Sequence, residues 1–165
     1  MSELPDAEDL VTELLRQLRP AVTPNTALVG IRTGGVWLAE RLHRELAISE
    51  PLGTLDISFY RDDYGRRGLH PNVKPSDIPF QVEGRDLVLV DDVLYTGRTI
   101  RAAMNELFDF GRPASIRLAA LVDRGGRELP IAPQFVGAVI PLPTGESIEL
   151  VRDEAGRFAL KLYRD

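Results

Sequence analysis

Apolar positions along the chain follow two rhythms. In "PDAEDLVTELLRQLRP" (5–20), Leu10, Val11, Leu14, Leu15 and Leu18 recur at helical spacing, acidic residues crowd the first turn and Pro20 closes the segment. "VWLAERLHRELA" (36–47) repeats the rhythm with Val36, Ala39, Leu42 and Leu46, and "TIRAAMNELFDFG" (99–111) predicts a third helix with Gly111 as its stop. Short apolar runs read as strands: "TALVGI" (26–31), "LVLV" (87–90), "SIRLAALVD" (115–123) and "FVGAVI" (135–140). "LGTLDISFY" (52–60) alternates at Leu55, Ile57 and Phe59, the period of a strand. "ESIELV" and "RFALKLY" flank "RDEAG" and predict a closing β-hairpin. The stretch "RDDYGRRGLHPNVKPSDIP" (61–79) is polar and has no apolar period, which predicts a long functional or mobile loop.

The order strand, helix, strand, loop, strand, helix, strand predicts an α/β fold around a largely parallel central sheet. The unbroken apolar run of "LVLV" fits a strand covered on both faces. No linker, repeat or low-complexity segment interrupts the pattern, so residues 1–165 are expected to form a single domain.

Composition narrows the classes. Hydrophobic residues make up 44% of the 165, enough for one core. The formal net charge is −5, from 20 Lys+Arg against 25 Asp+Glu, which weighs mildly against a protein that works mainly by coating nucleic acid. The chain has no cysteine, which excludes disulfides, thiolate metal sites and cysteine nucleophiles. The acidic start "MSELPDAEDL" lacks the basic, apolar pattern of a signal peptide, and no apolar run reaches transmembrane length. A cytoplasmic protein without membrane contact is the expectation.

The candidate chemistry sits in "LVLVDDVLYTGRT" (87–99). Asp91 and Asp92 directly follow the apolar run, at the strand end where ligands bind in open α/β sheets. Carboxylates there need hydroxyl donors or a cation. "TGRT" (96–99) then enters a helix, where unpaired backbone N–H groups favour an anion. Thr96 and Thr99 add hydroxyls and Gly97 permits close approach. A ribose phosphate satisfies both halves. An acidic helix entry or a glycine turn alone is a common surface feature. The P-loop and dinucleotide fingerprints are absent.

The whole stretch "VLVDDVLYTGRTI" resembles the phosphoribosyl pyrophosphate signature of type I phosphoribosyltransferases. With "GIRTGGVWLAERL", "FYRDD" and "GRPASIRLAALVDRGGRELPI", it is similar to the family of bifunctional pyrimidine operon regulators and uracil phosphoribosyltransferases, from about the first helix to the final hairpin. The resemblance implies a Rossmann-like type I phosphoribosyltransferase fold, a flexible catalytic loop, a homodimer or higher homo-oligomer, and uracil and phosphoribosyl pyrophosphate as substrates giving UMP. It also implies magnesium, carried by the diphosphate with Asp91 or Asp92 as candidate ligands. By the resemblance, Asp91 and Asp92 contact the ribose hydroxyls, and Thr96, Gly97, Arg98 and Thr99 hold the 5′-phosphate. Arg32, Thr33, Gly34 and Gly35 form the pyrophosphate loop; Val122, Asp123 and Arg124 recognise the base. Arg61, Arg66, Arg67 and Lys74 lie in the loop that would cover the diphosphate. Related purine-using enzymes carry an aspartate where this chain has Tyr95, which argues for a pyrimidine and against a side-chain general base there. His43 is expected on a helix surface, and His70 lies in the long loop.

Attenuating members of the family also bind pyrimidine-operon leader RNA. A basic face from Arg16, Arg19, Arg112, Arg117, Arg124 and Arg127 would serve that role. Two positions depart from the attenuating pattern: Gly126 replaces a histidine and Ala138 a lysine, and both changes remove donors. UMP-responsive RNA binding, with or without enzyme activity, is the alternative to the salvage enzyme.

Overall fold

The computed structural model describes residues 4–57 and 76–165. Helix α1 spans Ala7–Leu18, with the Asp6 carboxylate accepting the Glu8 N–H at 2.9 Å as its N-cap. It buries Ala7, Leu10, Val11, Leu14 and Leu18, while Leu15 is only partly covered. A 3-10 turn at Arg19–Ala21 contains Pro20, whose missing N–H is tolerated there. Strand β1 (Thr26–Ile31) is buried at every position. Helix α2 (Gly34–Glu45) follows, then β2 (Gly53–Leu55), β3 (Asp86–Leu94), α3 (Arg98–Phe108), β4 (Ser115–Asp123) and β5 (Phe135–Val139). Strands β6 (Glu146–Arg152) and β7 (Phe158–Arg164) pair antiparallel as the expected hairpin.

The five strands form a wholly parallel sheet in the order β2-β1-β3-β4-β5. On β3, Val88 and Val90 join the cluster with Leu14, Leu18, Leu38 and Leu42, whereas Leu87 and Leu89 join Ile100, Ala103 and Leu107. Helices α1 and α2 therefore cover one face and α3 the other, which is why "LVLV" shows no polar alternation. The hairpin contributes Ile148, Leu150 and Phe158 to the α1 side. Glu8 ties this corner together: Arg41 donates to both its oxygens at 2.8 and 3.3 Å, and the Phe158 N–H donates at 2.7 Å. Arg41 also reaches the Gly156 carbonyl at 2.8 Å and lies over the Phe158 ring.

Several boundaries differ from the sequence reading. Strand β3 continues through Asp91 and Asp92 to Leu94, so the acidic pair lies inside the strand's last turns of pairing and not beyond it; Asp91 is in register with Ala120 of β4. Strand β4 ends at Asp123, where the sequence pattern put it, so Val122 and Asp123 lie within the strand and only Arg124 lies past it. Neighbouring strands supply ladder partners to these positions, and pairing extends as far as partners exist. Helix α3 ends at Phe108, before Gly111. The strand expected over 52–60 is short, Gly53–Leu55, and its Thr54 forms an antiparallel bridge with Asp77 from the end of the predicted loop. His43 is half-buried, with Nε2 2.7 Å from the Glu50 carbonyl, and not a free surface residue. Phe59, Arg61, Arg66, Arg67, His70 and Lys74 lie outside the described residues.

Candidate functional site

From β1 the chain proceeds outward to β2 on one side; from β3 it proceeds to β4 on the other. Because α2 and α3 lie on opposite faces, a crevice opens at the carboxyl ends of β1 and β3, the switch point where such sheets bind ligands. The two glycine-containing turns found in the sequence are the segments that leave these adjacent strands.

The first turn is packed against the acidic pair. A methyl group on Gly34 would collide with the Asp92 carboxylate, and one on Gly35 would lie 2.7 Å from the Val90 carbonyl oxygen and 3.2 Å from Asp91 Cα. Only hydrogen at these positions lets the start of α2 reach β3. The Arg32 N–H donates to the Leu55 carbonyl at 2.9 Å, which fixes the turn to β2, and the Arg32–Thr33 peptide is cis. Thr33 is exposed at the head of α2.

Asp91 is 2% exposed and Asp92 is half-buried. Each commits one carboxylate oxygen locally: Asp91 Oδ1 accepts the Asp92 N–H and Asp92 Oδ1 accepts the Val93 N–H, both at 2.9 Å. Asp92 Oδ2 faces Gly34. This arrangement sets the acidic pair directly beside the first turn.

The second turn runs from Tyr95 to Thr99. Gly97 is the N-cap of α3 with φ +95°, and no side chain caps the helix from that position. A left-handed cap residue of this kind is accessible to glycine at no steric cost. Thr96 and Thr99 are buried, and the Thr96 hydroxyl accepts the Arg98 N–H at 3.1 Å. The helix start therefore presents N–H groups suited to an anion. The Arg98 side chain does not join them: its Nε donates to Glu128 at 2.8 Å on the surface.

At the end of β4, Arg124 is 5% exposed and its guanidinium stacks 3.8 Å from the centroid of the Tyr95 ring. Its N–H donates to the Leu94 carbonyl at 3.0 Å. The Val122 side chain is fully buried in the core and has no access to a ligand. The Asp123 carboxylate is engaged by the Gly125 N–H at 3.0 Å and by Arg127 at 2.7 Å. The structure thus brings Arg32, Thr33, Gly34, Gly35, Asp91, Asp92 and residues 95–99 to one crevice. It places Arg124 beside them, with the Val122 side chain in the core and the Asp123 carboxylate bonded to Gly125 and Arg127.

Two arginines assigned from sequence to a basic face are elsewhere. Arg124 is enclosed, and Arg127 is turned inward to bond the Tyr95 and Ile131 carbonyls at 2.6 and 2.7 Å. Arg117 lies over the Phe135 ring and Arg16 is paired with Glu13. The role of Arg127 was not legible from sequence, since "RGGR" carries no sign of which arginine points inward.

Comparison with known proteins places the chain. The phosphoribosyl transferase domain family matches residues 2–142. The "Bifunctional protein PyrR" of Pseudomonas entomophila is 53% identical over 151 residues, covering 89% of this chain and 88% of that protein. The protein of the same name from Nitrosococcus oceani is 50% identical over 155 residues, covering 93% and 88%. Among solved structures, a hypoxanthine-guanine phosphoribosyltransferase from Bacillus anthracis is 20% identical, covers 86% of this chain and 85% of its own, and has a TM-score of 0.68. A purine phosphoribosyltransferase from Pyrococcus horikoshii is 24% identical with a TM-score of 0.60, over 81% of each chain. These likenesses show the type I phosphoribosyltransferase fold. The chain belongs to the phosphoribosyl transferase domain family and, within it, to the branch of the bifunctional PyrR proteins.

Proposed function

We propose that the protein is a uracil phosphoribosyltransferase, forming UMP and pyrophosphate from uracil and phosphoribosyl pyrophosphate. The observation that carries the reading is the meeting of two turns across β1 and β3, with the Gly34–Gly35 turn in contact with Asp91 and Asp92 and the 96–99 helix start beside them. A ribose with phosphate groups at both ends needs this combination of acceptors flanked by anion sites.

In the reaction, uracil N1 bonds to ribose C1 as the bond from C1 to the diphosphate oxygen breaks, and N1 loses its proton. Positive charge builds on the sugar ring. Asp91 and Asp92, held by their local N–H bonds, supply fixed negative charge beside it. The 96–99 turn orients the sugar through its phosphate, so that attack becomes effectively unimolecular. Tyr95 is stacked under Arg124 and shapes the base end; it offers no carboxylate to take the proton.

Among the described residues no group of three or more acidic or histidine side chains could cage a metal. The donor set fits magnesium of the kind that keeps most of its ligands as water and phosphate oxygen and takes one or two carboxylates. Asp91 and Asp92 would hold it, and its chemistry would be to neutralise the diphosphate.

The relatives' name also carries a regulatory reading, UMP-responsive binding of pyrimidine-operon leader RNA. The inward positions of Arg124 and Arg127 weigh against the face first assigned to it. The deciding experiment follows UMP formation from labelled uracil, phosphoribosyl pyrophosphate and magnesium, with hypoxanthine and orotate in parallel. Turnover with uracil, lost by at least about 100-fold in an Asp91→Asn, Asp92→Asn double variant, is expected. Absence of turnover with every base, in protein that still binds phosphoribosyl pyrophosphate, would overturn the enzyme reading in favour of the regulator.

A further inference from the structure

The segment after β4 is laced to the turn after β3. Arg127 Nη1 donates to the Tyr95 carbonyl at 2.6 Å, and the Glu128 and Leu129 N–H groups both donate to the Thr96 carbonyl, at 2.9 and 3.1 Å. The Ile131 side chain fills the space beside Gly97, where a methyl would lie 3.0 Å from its Cγ1. Arg127 spans the rest of the junction, with Nε on the Ile131 carbonyl at 2.7 Å and Nη2 on Asp123 at 2.7 Å.

We infer that residues 127–131 are a brace coupling the base end of the site to its phosphate turn, with Arg127 as the positioning residue at its centre. The inference rests on the phosphoribosyltransferase reading. Arginine is suited to the task because its rigid planar fork meets three acceptors on three different elements at once. One is the carbonyl that precedes the phosphate turn, one is the carboxylate at the end of β4, and one is the far end of the brace itself. Its side chain is 23% exposed and three of its five N–H donors are spent on these bonds, which makes Tyr95 and Asp123 the groups through which it acts. Lysine, a point donor on a flexible stem, holds at most part of the fork.

The consequence is linkage. A ligand seated on the 96–99 turn orders the same carbonyls that Arg127 reads, and this presets Arg124 and Tyr95 for the base. Loss of the fork should therefore raise the KM for uracil and weaken ribose 5-phosphate binding together, while the chemistry of the bound complex changes less.

The test compares wild type, Arg127→Gln and Arg127→Lys. Steady-state UMP synthesis gives KM and kcat, calorimetry gives the Kd of ribose 5-phosphate, and thermal unfolding reports the fold. For Arg127→Gln the expected result is about a tenfold rise in both the uracil KM and the ribose 5-phosphate Kd, with kcat within about threefold; Arg127→Lys should fall between. A purely structural role would lower the unfolding temperature but leave KM and Kd of the folded fraction at wild-type values, and that outcome overturns the inference. A rise in uracil KM with unchanged ribose 5-phosphate Kd also overturns the coupling. If wild type makes no UMP, the enzyme reading fails by itself, and the ribose 5-phosphate Kd still decides whether Arg127 braces the phosphate turn.

Discussion

Replacing Gly35 by alanine tests whether the closeness of the two turns is functional. The new methyl would sit 2.7 Å from the Val90 carbonyl oxygen, 3.2 Å from Asp91 Cα and 3.4 Å from Asp91 Oδ1. The nearest atoms are backbone of a central strand held by neighbours on both sides, so they cannot turn aside as a side chain would. To restore an ordinary contact, the head of α2 must retreat by at least about 0.7 Å. Overpacking of this kind costs about 1–3 kcal/mol, and alanine in a helix returns up to about 1 kcal/mol over glycine. The net destabilisation should therefore lie between about 0 and 3 kcal/mol, and the protein should remain folded. Activity should suffer far more, because a shift approaching 1 Å in a positioning element costs on the order of 100-fold. Urea denaturation measures the first effect and UMP synthesis at saturating substrate the second. Gly34→Ala serves as contrast: its methyl meets the Asp92 carboxylate, a side-chain end, so stability should change less while Asp92 is displaced from its position. A Gly35→Ala protein with full activity and wild-type stability would refute the packing argument.

Two further outcomes are expected. Hydrogen bonds from Arg41 first, and then from the Phe158 N–H, hold the Glu8 carboxyl below its ordinary value of 4.5, against the opposing effect of burial. A carboxyl lowered in the folded state stabilises above about pH 4.5 and loses that contribution as pH falls through the lowered value, so Glu8→Gln should cost about 1–2 kcal/mol at pH 7 and progressively less as the pH falls below 4.5 in paired denaturation curves. Gly126 has φ +77° and lies against the Tyr95 ring, so Gly126→His, which restores the residue of attenuating relatives, should displace Tyr95 and raise the uracil KM several-fold without conferring tight RNA binding; a gel-shift and a kinetic titration check both halves.

Much of the site was written in the chain. The phosphate turn was legible because Thr96, Gly97 and Thr99 act through local geometry: a left-handed glycine and a helix start lie within a few consecutive residues. The unbroken apolar run from Leu87 to Val90 announced a strand covered on both faces before either face was known. The end of β3 was less legible, because Asp91 and Asp92 are extended by ladder partners on β4, far away in sequence. The fates of the arginines were not legible at all. Arg98, Arg124 and Arg127 look alike in sequence, yet one pairs with Glu128 on the surface, one stacks on Tyr95 and one forks among three acceptors. Local pattern alone determined the helices, the strands and the chemistry of each turn, since these depend on spacing and on backbone freedom within a few residues. Tertiary structure alone decided that the first turn packs against the acidic pair, that Gly34 and Gly35 must lack side chains, and that Arg127 faces inward. Those facts depend on sheet order and on distances between segments separated by dozens of residues.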